Sequence, residues 1–165
     1  MKHKIYFSMS SRGLLSLRIK SWIKQAVFTA LKAEGVGAAC EVSVLITDDE
    51  GIRELNHDFR KLNRPTDVLS FPANEMTAGE FNPDSMETSP KTGRIVLGDM
   101  ALSLERAEAQ GREFGHGLKR EVQYLTVHSV LHLLGYDHVD EGAMKLTMRA
   151  REKDIMAEIE GVREK

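Results

Sequence analysis

The chain has 165 residues, of which 41% are hydrophobic, and this is enough apolar material for one sizeable core but not for two independent domains. Its 23 basic and 25 acidic side chains leave a formal net charge of −2, which excludes a polycation that coats nucleic acid through bulk charge but not a local phosphate-binding patch. The single cysteine, Cys40, excludes an internal disulfide and a cysteine-rich metal site, so any metal must bind histidine or carboxylate.

The first half of the chain alternates between strand and helix signals. Strand formers over residues 4–9 precede residues 14–32, where apolar side chains recur at helical spacing. A second strand is predicted over residues 41–47, and a short helix with acidic residues in its first turn is predicted over residues 48–55. The first helix has a basic solvent face, made by Arg18, Lys20, Lys24 and Lys32.

The middle of the chain contains all four prolines. A brief strand over residues 66–71 is bounded by Pro65 and Pro72. Residues 73–92 show no periodicity, which predicts a long loop. A further strand is predicted over residues 93–98.

Helices dominate the last third of the chain. Asp99 is placed to cap a helix over residues 99–111. Another helix is predicted over residues 118–134 and ends at Gly135, and a last helix runs over residues 141–160.

This order of elements predicts one α+β domain over residues 1–165, with a small mixed four-stranded sheet packed against about five helices. No apolar run approaches the roughly 18 residues that a membrane span needs. Too few apolar residues follow the basic start at residues 1–4 for a signal peptide. We therefore expect a soluble, cytoplasmic protein that does not bind a membrane.

Three of the six histidines lie close together in the pattern H-x-x-x-H-x-x-G-x-x-H, as His128, His132 and His138. The first two are four residues apart in the predicted helix, so their rings project from one face about one turn apart. Gly135 allows a positive φ angle, which turns the chain and brings His138 towards the same point. The spacing predicts a metal site at the end of this helix, holding one Zn²⁺ per chain with water opposite the imidazoles; nickel or another divalent ion is the alternative.

The same spacing occurs in the metzincin proteases, where a glutamate follows the first histidine and acts as general base. This chain has Ser129 at that position. A serine hydroxyl cannot take a proton from metal-bound water as a carboxylate does, so a metallopeptidase is disfavoured but stays an alternative.

Residues 128–138 closely resemble the signature of the YbeY family of bacterial endoribonucleases and rRNA maturation factors. The family commonly has glycine where this chain has Ser129. Residues 55–72 and residues 98–100 also match the family, and the resemblance follows the same order over nearly the whole chain.

The resemblance implies a single domain with a three-histidine metal site. It also implies a metal-dependent, single-strand-specific endoribonuclease that acts in 16S rRNA 3′-end maturation and ribosome quality control. The implied partners are rRNA and the small ribosomal subunit, with a small-subunit ribosomal protein and an Era-type GTPase as further candidates. The remaining alternative is a non-catalytic ribosome-assembly factor with a structural metal. The two functions differ in one observable feature, because a catalytic site keeps a water on the ion and a structural site does not.

Arg60, Lys61 and Arg64 place three positive charges before the proline-bounded strand. Arg60 matches the arginine of the family's Asn-x-x-x-Arg pattern, and a guanidinium can hold a phosphate through two parallel hydrogen bonds. We therefore expect Arg60 to face the metal and Lys61 and Arg64 to be solvated. The metal is expected to activate water, or alternatively the RNA 2′-hydroxyl, while Arg60 stabilises the phosphate. This cluster and the basic face of the first helix form the expected RNA surface.

Overall fold

The computed structural model describes residues 3–10, 16–137 and 142–161, and these ranges contain four strands and five α-helices. The strands are β1 (Lys4–Met9), β2 (Cys40–Thr47), β3 (Val68–Pro72) and β4 (Ile95–Ser103). The helices are α1 (Leu17–Ala33), α2 (Asp49–Arg60), α3 (Leu104–Glu113), α4 (Leu118–Leu133) and α5 (Ala143–Ile159). The predicted order of strands and helices is confirmed, and a short 3-10 turn at Pro83–Ser85 lies within the predicted long loop.

The four strands form one mixed sheet in the order β1-β2-β4-β3. β1 and β4 both pair with β2 in parallel, whereas β3 pairs with β4 antiparallel and forms an edge. In β2, the alternating side chains of Val42, Val44 and Ile46 are buried on one face. The predicted small mixed sheet of an α+β fold is therefore confirmed.

The two faces of the sheet carry cores of unequal size. The larger core includes side chains such as Val27 of α1, Leu125 of α4 and Ile155 of α5, so these helices cover one face. The smaller core lies on the other face, where Ile52 of α2 packs against Leu69 of β3 and Ala101 of β4. Burial of these apolar side chains is the main favourable contribution to folding.

The structure corrects the predicted start of α3. Asp99 lies inside β4, and Ser103 caps the helix by accepting a hydrogen bond of 3.2 Å from the backbone N–H of Arg106. Gly98 looked like the end of a strand, but it sits at a register shift with φ of 138° and the strand continues past it. A side chain there would lie 2.3 Å from the carbonyl oxygen of Phe71, so only glycine fits.

Helix α4 lies at the centre of the molecule, with contacts to α1, α3, α5 and β3. It ends where Gly135 adopts φ of 96°, as the sequence predicted. Within the three described ranges, no helix combines the length and apolar character that crossing a membrane requires.

Candidate metal centre

His128 and His132 project from one face of α4 towards the same point. Their rings are 4.7 Å apart between centroids, and their Nε2 atoms are 3.2 Å apart. This separation is close to the roughly 3.3 Å expected between two nitrogens that bind one zinc ion tetrahedrally at about 2.0–2.1 Å. The helical spacing of four residues is the cause of this convergence.

A buried carboxylate on α5 fixes the orientation of the first histidine. Glu152 Oε2 lies 2.5 Å from His128 Nδ1, and Tyr124 donates its hydroxyl to Glu152 Oε1 at 3.1 Å. An ionised carboxylate only accepts hydrogen bonds, so Nδ1 carries the proton and the Nε2 lone pair points towards His132. Carboxylates hold metal-binding histidines in this manner.

The two described donors, the Nε2 atoms of His128 and His132, fit a zinc-type ion. His138, the predicted third ligand, lies outside the described residues, and within residues 3–10, 16–137 and 142–161 no group of three potential ligands is found. Cys40 is no substitute, because it is fully buried and burial raises the pKa of its thiol to about 12. Two converging imidazole nitrogens, one held by a carboxylate, therefore define the candidate centre.

The two histidines line an open cavity of about 850 Å³, which we call the histidine cavity. Arg60, the last residue of α2, lies on its wall, as does Arg64. Neither arginine forms an ion pair with any residue in the described part of the chain. Three acidic residues also line the cavity: Asp67, Glu75 and Asp137.

Arg64 is an exposed loop residue, as predicted, and it also lines the histidine cavity. The buried side chain of Asn56 donates a hydrogen bond of 3.0 Å to the carbonyl oxygen of Arg64. Lys61 ends α2 in the left-handed conformation, with φ of 60°, which turns the chain back towards the helix. The turn and the Asn56 bond together bring Arg64 to the cavity, whereas Lys61 does not line it.

Asp67, the residue immediately before β3, has both carboxylate oxygens engaged. One accepts a hydrogen bond of 2.7 Å from the backbone N–H of Val68, and the other accepts one of 3.3 Å from the side chain of Gln110. Its carboxylate therefore holds the strand against α3 at the cavity wall.

Ser129, at the position of the metzincin general base, is fully buried and lies 2.7 Å from the hydroxyl of Ser70. This contact joins α4 to β3. Ser70 lines the histidine cavity, but Ser129 does not. The geometry gives Ser129 no role in proton transfer at the candidate centre.

Tyr136 supports the cavity wall just after α4. Its hydroxyl donates to Glu34 Oε1 at 2.6 Å, and the other Glu34 oxygen accepts from Arg151 Nε at 2.7 Å. Burial, followed by the contact with Glu34, raises the pKa of Tyr136 to about 12, so its hydroxyl remains a donor. The network ties the ends of α1 and α4 to α5.

Sequence reasoning missed Glu152 and Tyr124, because each reaches the site through contacts between helices. A signal was nevertheless present: Glu152 follows Met148 by four residues and precedes Ile155 by three, so it lies on the apolar face of α5. A carboxylate on a buried helix face requires a polar partner.

Comparison with known proteins places this architecture in a family. The family model described as Endoribonuclease YbeY matches residues 6–160. A protein named Endoribonuclease YbeY from Clostridium acetobutylicum is 48% identical over 146 residues, which cover 84% of this chain and 87% of that protein. One of the same name from Clostridium botulinum, strain Kyoto, is 46% identical over 144 residues, which cover 84% and 86%.

Among solved structures, the chain is similar to the solution structure of TM1509 from Thermotoga maritima. The TM-score is 0.61 with 26% sequence identity, and the match covers 95% of this chain and 89% of that chain. The fold and the sequence agree: the chain belongs to the Endoribonuclease YbeY family.

Proposed function

We propose that this protein is a metal-dependent endoribonuclease that cleaves single-stranded RNA in the bacterial cytoplasm. Its proposed role is 16S rRNA 3′-end maturation and ribosome quality control. The observation that carries the proposal is the convergence of two histidine Nε2 atoms, 3.2 Å apart, on a cavity whose wall also presents Arg60 and Arg64. Family membership supports the same activity.

The metal would be held by His128 and His132, with His138 as the third ligand, and Zn²⁺ is the first choice for such a donor set. Nickel or another divalent ion is the alternative. When bound, the ion supplies Lewis-acid polarisation of a phosphate oxygen and makes a water more acidic. Glu152 keeps the proton of His128 on Nδ1 and thereby leaves Nε2 for the ion.

The arginines of the histidine cavity bind the substrate backbone in this proposal. Arg60 offers a planar pair of N–H donors that matches two phosphate oxygens, and Arg64 adds a second positive charge on the same wall. Their task is to hold the phosphate against the histidines and to stabilise the charge that develops on its oxygens. The proposed partners are rRNA and the small ribosomal subunit, together with a small-subunit ribosomal protein and an Era-type GTPase.

The test is Arg60→Lys, which keeps the charge but loses the two-pronged donor. We expect this variant to retain its metal, its fold and most RNA binding, and to lose on the order of 10²-fold in cleavage rate. The measurements are single-turnover cleavage of labelled single-stranded RNA, elemental analysis and circular dichroism. Lys61→Gln is the matched control, because this neighbouring charge lies off the cavity, and it should cleave at the parental rate.

His132→Ala should lose the metal together with the activity. Parental cleavage by a metal-loaded Arg60→Lys protein would remove Arg60 from the mechanism. If the metal-loaded parent, free of contaminating nuclease, cleaves no rRNA precursor even on intact ribosomes, the assembly-factor function is the correct one.

A further inference from the structure

Two smaller cavities continue the histidine cavity along the seam between α4 and α5. The first, of about 290 Å³, is lined by His128, Lys145 and Arg149, and His128 also lines the histidine cavity. The second, of about 360 Å³, extends to Arg120 and Lys153. The two smaller cavities share Tyr124, Arg149 and Glu152, so the three spaces follow one another along the surface. We call the two smaller cavities together the α4–α5 groove.

Basic side chains of α5 line this groove in a regular row. Lys145, Arg149 and Lys153 are four residues apart, which places them on one face of the helix at intervals of about 6 Å. Arg149 and Lys153 are exposed and form no ion pair with any residue that the structure describes. Such a row of cations is suited to an extended polyanion.

The acidic side chains of the groove are already engaged. Glu152 is buried and accepts hydrogen bonds from Tyr124 and His128, and Glu160 is paired with Arg120. The charge of Glu160 is therefore offset by Arg120, and the side chain of Glu152 is withdrawn from the surface, so the exposed lining is basic. Tyr124 is 36% exposed, and an exposed aromatic ring can stack on a base of any sequence.

An endonuclease must hold its substrate on both sides of the bond that it cuts. Arg60 and Arg64 supply phosphate-binding groups within the histidine cavity, and the α4–α5 groove is a second space that begins at His128, which lines both. We propose that a single strand of RNA runs from the histidine cavity into the α4–α5 groove, where Arg149 and Lys153 bind its phosphates. This inference rests on the proposed function and adds the path of the substrate.

The sequence also predicts that the basic face of α1 binds RNA. This face is less favourably placed than the α4–α5 groove for holding a strand that passes the histidines. The ammonium group of Lys20 lies 5.6 Å from the ring centre of Phe7 in β1. β1 is the edge strand on the far side of the sheet from β3, and β3 is the strand packed against α4 beside the histidine cavity. The α4–α5 groove, in contrast, borders the histidines directly.

The test compares two double variants that each remove two exposed positive charges. Arg149→Gln with Lys153→Gln changes the groove, and Lys4→Gln with Lys91→Gln is the matched control, because these two exposed lysines line neither the histidine cavity nor the groove. Affinity for a fluorescent single-stranded RNA is measured by anisotropy at several salt concentrations, and the RNA is checked for integrity on a denaturing gel. Because each phosphate contact with a single strand contributes about 0.7 to the slope of log affinity against log salt, the groove variant should lose about 1.4 from that slope. The control should retain the parental slope.

A second measurement locates the contact relative to the cleaved bond. RNAs are extended on the 5′ or the 3′ side of the cleavage position, and kcat/KM is measured for each. Extension on one side should increase the parental kcat/KM, and the groove variant should lose that increase while the control keeps it.

The possible outcomes distinguish failure of the groove proposal from failure of the proposed function. If the parent binds and cleaves RNA but the groove variant keeps the parental slope and the parental response to extension, the groove proposal is wrong and the proposed function stands. An equal loss in the control would also overturn the groove, since the effect would then be one of total charge. A metal-loaded parent that neither binds nor cleaves RNA overturns both.

Discussion

The burial of Glu152 is the most informative observation at the scale of single residues. An ionised carboxylate in the interior is costly unless it is paired and hydrogen-bonded. Here one carboxylate oxygen accepts a hydrogen bond from Tyr124 and the other accepts one from His128. Burial and, next in size, the nearby charge of Glu152 raise the pKa of Tyr124, so the tyrosine hydroxyl stays protonated and remains a donor. The carboxylate therefore links the packing of α5 to the tautomer of His128.

Glu152→Gln is expected to weaken metal binding while the fold persists. The amide keeps the shape of the side chain but loses the charge that holds the proton on His128 Nδ1, and loss of such a partner typically costs 10- to 100-fold in metal affinity. Affinity is measured by competition with a chelator, and the tautomer of His128 by ¹⁵N chemical shifts. Glu160→Gln is the control, because this glutamate of the same region pairs with Arg120 and not with a histidine.

Unchanged metal affinity and an unchanged His128 tautomer in Glu152→Gln would reduce Glu152 to a packing residue. A loss of metal in both variants would instead point to a general effect on α5.

At the scale of elements, the end of α4 determines the shape of the histidine cavity. Gly135 turns the chain with φ of 96°, and the backbone of residues 76–78 lies directly against it. A Cβ atom at Gly135 would lie 2.5 Å from the carbonyl oxygen of Met76, which itself lines the cavity. The glycine thus serves both the turn and the close approach of two backbone segments.

Gly135→Ala should lower the free energy of unfolding by about 2–4 kcal/mol, since backbone strain of about 1–2 kcal/mol adds to a steric overlap of similar cost. Gly115→Ala is the matched control, because Gly115 also has a positive φ, 76°, but a Cβ there meets nothing within 4 Å. It should cost only the strain of about 1–2 kcal/mol. Urea denaturation measures both, and equal losses would show that the contact with Met76 has no energetic consequence.

Most elements were predictable because their signals are local. The apolar period of α1 and the alternation of β2 both reflect burial on one face, and Gly135 marked the end of α4. The bulge at Gly98 was not predictable, since a glycine inside a strand and one after it look alike until the partner strand is known. The same reason hid the α4–α5 groove: the row Lys145, Arg149 and Lys153 is visible in the sequence, but its position beside His128 depends on helix packing.

At the scale of the whole molecule, polar contacts join helices that are distant in sequence. Gln123 of α4 donates to the carbonyl oxygen of Trp22 and to the side chain of Gln25 in α1. Arg151 of α5 binds Glu34, whose side chain is only 7% exposed, and also donates to the carbonyl oxygen of Ala33. These contacts lie at the edges of one continuous apolar core, so we expect α1, α4 and α5 to unfold together.

Arg151→Met tests this expectation, and with it the prediction of a single domain over residues 1–165. The substitution leaves the buried Glu34 carboxylate without its cation and should lower the free energy of unfolding by about 1–3 kcal/mol. Unfolding in urea is followed by the fluorescence of Trp22, the only tryptophan, and by far-ultraviolet circular dichroism. In a cooperative domain both probes report the same lowered urea midpoint, and the m-value is unchanged. Arg112→Met is the control, because its exposed pair with Glu108 contributes little. Two separated midpoints in Arg151→Met, with the helical signal lost first, would show that α5 unfolds independently of α1.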